Sequence, residues 1–129
     1  LLLDHQYPEA EKYARRCLET ARRKAGRNGG WVDWSLGCLL PALVRNGHQD
    51  EADVIDAEIQ ARWKEQYPGE DPPPVMFDGD LGPEIVMAFV ETGQRSRAEP
   101  YLRAIRRSYP GIFEVIQAKL RELPGDDSP

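Results

Sequence analysis

The chain has 129 residues, 40% hydrophobic and 30% charged, with 17 basic and 22 acidic side chains and a net charge of −5. That length and balance predict one globular domain with a real core. The acidic sum argues against a nucleic-acid module, and no apolar run approaches the roughly 20 residues of a membrane span.

Leu1–Leu3 lack the basic region and cleavage site of a signal peptide. The absence of an initiating Met reads as a fragment or a processed product. Charge is uneven along the chain: net +3 over residues 1–49, −9 over 50–84 and +1 over 85–129.

Residues 8–25 predict a first helix. Ala10, Ala14, Cys17 and Ala21 recur on one stripe, Tyr13 and Leu18 widen it, and Arg22, Arg23 and Lys24 suit the negative end of the helix dipole. Gly26 and Asn28-Gly29-Gly30 end it. Residues 31–46 are dense in Leu, Val and Trp, which marks a buried helix that Pro41 should kink.

Residues 51–67 follow as an amphipathic helix with Ala52, Ile55, Ile59 and Trp63 inward. Residues 68–83 hold five of the eleven prolines and predict a long loop, with Val75, Met76, Phe77 and Leu81 tucked against the body. Short helices are expected over 84–92, 96–108 and 111–122, and the tail 124–129 reads as disordered. No segment alternates as a strand would, so the fold class is all-α.

Cys17 and Cys38 form no CxxC pair and lie within apolar helical patterns. They predict buried free thiols in a reducing, cytoplasmic setting and no zinc site.

One signal recurs before three helices: a turn residue, four positions, then Ala. It reads His5 to Ala10, Gly47 to Ala52 and Gly93 to Ala98, with the alanines 42 and 46 residues apart. Gly permits a tight turn, and Ala lets two helices approach closely.

These segments, HQYPEAEKYARRCLET, NGHQDEADVIDAEIQ and TGQRSRAEPYLRAIRRSYP, resemble tetratricopeptide repeats of the long-spaced kinesin-light-chain type. The resemblance implies antiparallel hairpins stacked as a right-handed α-solenoid in a single domain over 1–123. It would comprise a repeat remnant over 1–27, repeats over 31–67 and 84–110, and a capping helix over 111–123. Pro41, the loose aromatic match at Trp31 and Trp34, and the proline-rich loop depart from the family pattern.

No phosphate loop, HExxH, GxSxG or kinase signature is present. His5 and His48 fall in turns, Asp78-Gly79-Asp80 reads as solvated, and no nucleophile has an adjacent base. The chain is therefore expected to be no enzyme and to need no metal or cofactor.

The resemblance places Trp34, Pro41, Val44, Arg45, Met87, Val90 and Glu91 on a concave groove, without the Lys and Asn of a carboxylate clamp. The expected function is protein–protein interaction, with a protein or peptide partner or self-association, and neither nucleic acid nor membrane. The basic face with Arg15, Arg16 and Arg27 favours an acidic peptide or pairing with an acidic neighbouring repeat. The alternatives are a sensor or oligomerisation domain binding a small ligand beside Trp34 and Met87, and, further off, a helical enzyme.

Overall fold

The computed structural model describes residues 7–25, 30–75 and 81–122. The expectations for Leu1–Leu3, His5, Gly26, Arg27, Met76, Phe77, Asp78, Asp80 and the tail lie outside the described residues.

Among the described residues six α-helices follow in order: α1 (Tyr7–Ala25), α2 (Gly30–Arg45), α3 (Gln49–Gln66), α4 (Leu81–Glu91), α5 (Arg95–Ser108) and α6 (Pro110–Glu122). No strand occurs among the described residues, whose regular structure is all α-helical. Among the described residues no helix is long and apolar enough to cross a membrane. The chain packs as two compact units, Leu1–Arg62 and Trp63–Pro129, and the boundary falls within α3.

In the first unit, α1 lies along α2 through the small stripe Ala10, Ala14, Leu18 and Ala21, all buried. Small residues at this spacing let the two backbones approach. Tyr13, expected inward, is instead 43% exposed, and Cys17 is half-buried, because both stand at the edge of that stripe.

α2 is buried from Val32 to Val44 apart from Trp34, and it runs through the buried Pro41 to Arg45. The acidic α3 is tied to α1 by Arg15–Glu51 at 2.8 Å and Arg22–Glu58 at 2.9 Å, and to α2 by Arg62–Asp33 at 2.5 Å.

The turns after α2 and α4 are built alike. His48 N–H donates to Leu43 O at 3.0 Å and Gly47 N–H to Val44 O at 3.2 Å. Gln94 N–H donates to Phe89 O at 2.7 Å and Gly93 N–H to Val90 O at 3.1 Å. Both pairs are the crossed bonds of a Schellman ending, which needs a left-handed residue at the glycine. Gly47 has φ +79° and Gly93 φ +75°, and the alanines five residues on, Ala52 and Ala98, are fully buried.

In the second unit, Gly82, Ile85, Val86, Ala88 and Phe89 of α4 and Ala98, Tyr101, Leu102, Ala104 and Ile105 of α5 are the buried residues of two packed helices. Ile116 and Leu120 are the buried residues of α6, which packs on α5. Pro110 opens α6 at a position where its missing N–H has no helical partner to lose.

The loop expected over 68–83 is shorter, because α4 already begins at Leu81. Pro83 stands in the first turn, where no backbone donor is needed. The described part of the loop is not loose. Asp71 pairs with Arg103, Glu70 lies 2.5 Å from Arg107, and Val75 N–H donates to Ser108 Oγ at 2.9 Å.

Candidate binding site

The cleft starts from two spacings. Tyr13, Cys17, Thr20 and Lys24 follow one another on one side of α1. Trp31, Trp34 and Ser35 share one side of α2. The pairing of α1 with α2 brings these sides together with Arg16 and Ala21 around a cleft of about 560 Å³. That volume falls within the range of small-molecule and peptide-anchor pockets.

The cleft is mainly apolar with a cationic edge. The indoles of Trp31 and Trp34 meet edge to face, ring centroids 5.9 Å apart and planes at 82°. Trp31 is 68% exposed, which leaves a large apolar ring in water. Arg16 and Lys24 supply positive charge, and neither forms an ion pair among the described residues.

Ser35, Thr20, Tyr13 and Cys17 bring uncharged polar groups to the cleft. Ser35 is 1% exposed, and its Oγ has no hydrogen-bond partner among the described residues. A buried hydroxyl left without a partner costs free energy that a bound group could relieve. The Cys17 thiol beside the Tyr13 hydroxyl pushes that phenol above its ordinary range.

No family model, curated protein or solved structure matches the chain.

The residues expected on a groove are distributed differently. Trp34 lines the α1–α2 cleft. Pro41 and Val44 are buried in α2 and present no surface, a correction that follows from α2 being the most enveloped helix of its unit. Arg45 lies over the Tyr7 ring, 5.0 Å from its centroid. Met87 and Val90 are half-buried on α4, and Glu91 is exposed at its end.

Cys17 corrects the expectation of two buried thiols. It is free and half-buried in the cleft, whereas Cys38 is free and buried. Tyr13, Arg16, Thr20, Lys24, Trp31 and Ser35 were not among the expected groove residues. The signal that could have found them is the shared face of Tyr13, Cys17, Thr20 and Lys24 on α1. Among the described residues no group of three or more His, Cys, Asp and Glu stands together to hold a metal ion.

Proposed function

We propose that the chain is a non-catalytic binding module of helical hairpins whose α1–α2 cleft holds an amphipathic, acidic-flanked helical segment of a partner protein. The exposed Trp31 beside Trp34 carries this reading, since aromatic anchors in a pocket supply most of the free energy of such interfaces. Arg16 and Lys24 on the cleft favour carboxylates flanking the apolar stripe of the guest, which is the helix-in-groove mode with charge complementarity. The two matching glycine turns support a repeated hairpin of tetratricopeptide type, with α6 as its cap.

The half-buried Cys17 thiol makes the test direct. Two helical peptides carry the same leucine stripe, one with Glu and the other with Lys on its flanks. Maleimide labelling of Cys17 and indole fluorescence are followed, with buried Cys38 as internal reference. The Glu peptide should slow Cys17 labelling and shift the emission, and Trp31→Ala should abolish both effects. Equal effects of the two peptides, or none, overturn the reading. Protection of Cys17 by small apolar compounds alone would assign the cleft to a small ligand, and protection that rises with protein concentration alone would assign it to a second copy.

A further inference from the structure

The second unit carries a different kind of surface. α5, RSRAEPYLRAIRRS, holds five arginines and one carboxylate, Glu99. Three of the arginines have evident work. Arg97 lies 5.4 Å from the Phe89 ring centroid, Arg103 pairs with Asp71, and Arg107 bonds Glu70 and donates to Pro72 O at 2.8 Å.

Arg95 and Arg106 instead line a cleft of about 300 Å³ between α5 and α6, with Arg103 and with Arg121 of α6. Leu102, Phe113 and Leu120 provide its apolar lining, and Glu99 is its one carboxylate.

Three observations converge on an anion. Arg95 donates through Nη2 to Leu120 O at 3.2 Å, but its Nε is buried with no partner among the described residues. Arg106 lies over the face of Phe113, 5.5 Å from the ring centroid. A stacked guanidinium keeps its N–H donors in plane, ready for a two-pronged oxyanion. Arg95 and Arg97 also stand in the first turn of α5, where no acidic side chain and no side-chain cap offsets the positive end of the helix dipole. Cations at that end oppose the dipole, and a bound anion relieves them.

We propose that this cleft binds a small organic oxyanion, a carboxylate or phosphate monoester carried on an aromatic or aliphatic stem. Arg95, Arg106 and Arg121 hold the oxyanion, and Leu102, Phe113 and Leu120 receive the stem. The site lies on other helices than the indole cleft and does not depend on it.

The test is a titration of the isotope-labelled full chain, followed by backbone amide shifts, with phenyl phosphate, phenylacetate and inorganic phosphate. Phenyl phosphate should move the amides of α5 and α6 and bind at least about tenfold tighter than inorganic phosphate, the gain expected from burying the stem. Phenylacetate binding comparably to phenyl phosphate assigns the site to either acid; phenylacetate failing assigns it to phosphate esters.

Arg106→Gln with Arg121→Gln should weaken binding by about tenfold or more. Lys12→Gln with Arg23→Gln removes the same charge from exposed positions on α1 and should leave binding unchanged. Equal losses in the two double variants, equal binding of inorganic and phenyl phosphate, or shifts confined to α1 overturn the proposal.

Discussion

The indole Nε1–H of Trp63 donates to the carbonyl of Pro74 at 2.8 Å. Trp63 is itself 2% exposed, with its ring 5.2 Å from that of Tyr101. One side chain therefore both fills the core of the second unit and holds the proline-rich segment. Trp63→Phe keeps an aromatic ring and removes the donor, so it should cost about 1 kcal/mol, whereas Trp63→Ala also opens a cavity and should cost about 3–5 kcal/mol. Urea unfolding measures both, and a Trp63→Phe variant as stable as the wild type would show that the hydrogen bond to Pro74 contributes nothing.

Glu11 is the carboxylate on which the first unit's α2–α3 turn is fastened. It is 8% exposed and accepts from Arg15 Nε at 3.0 Å, Arg15 Nη2 at 2.8 Å, Asn46 Nδ2 at 2.8 Å and His48 Nδ1 at 2.8 Å. Burial alone pushes its pKa up, but the hydrogen bonds from Asn46 and Arg15, the charge of Arg15 and the bond from His48 together outweigh burial and hold it below the ordinary 4.5. A carboxyl depressed in the folded state stabilises the fold above its unfolded pKa. That contribution is lost as pH falls through the depressed folded value.

The urea midpoint of the wild type should therefore drop as pH is lowered from about 5 into the acid range, and Glu11→Gln should flatten that part of the profile. Glu11→Ala at neutral pH strands its partners and should cost about 3 kcal/mol. An unchanged acid limb in Glu11→Gln would show that Glu11 does not drive it.

Local chemistry made part of this molecule legible. The Gly47 and Gly93 turns are written in adjacent residues, and so is the inward row Ala52, Ile59 and Trp63. What depended on pairing between distant segments was not legible. Tyr13 and Cys17 lie on the α1 pattern, yet only the docking of α2 decides that they border a cleft and not the core. Residues 68–83 read as a long loop partly tucked against the body, but the anchors of Pro74 on Trp63 and of Pro72 on Arg107 were not legible, because they are 11 and 35 residues away. Pro83 read as a breaker, although as the third residue of α4 it costs that helix no hydrogen bond.

The two turn glycines separate backbone strain from crowding. A Cβ added at Gly47 or Gly93 would meet nothing within 4 Å, so only the positive φ opposes a side chain there. Gly47→Ala and Gly93→Ala should each cost about 1–2 kcal/mol, and Asn at either site should recover part of it because Asn tolerates the left-handed region. Thermal or urea unfolding of the four variants checks this. Asn costing as much as Ala would point to a cause other than φ.

Gly82 presents the opposite case. Its φ is ordinary, but a Cβ placed there would lie 3.1 Å from both Cδ1 and Cγ1 of Ile105, which is 1% exposed. Within α4, Gly→Ala should gain about 1 kcal/mol of helix propensity. Against a packed isoleucine it should cost about 1–3 kcal/mol through displaced side chains. Crowding wins, so Gly82→Ala destabilises. Ile105→Val removes Cδ1 and alone costs about 1 kcal/mol. Together the two changes should cost less than the sum of the single variants, by about 0.5 kcal/mol or more, since the shortened side chain makes room for the new methyl. A double-mutant cycle in urea reads that coupling directly, and strict additivity would mean that the α4–α5 contact at Gly82 already has slack.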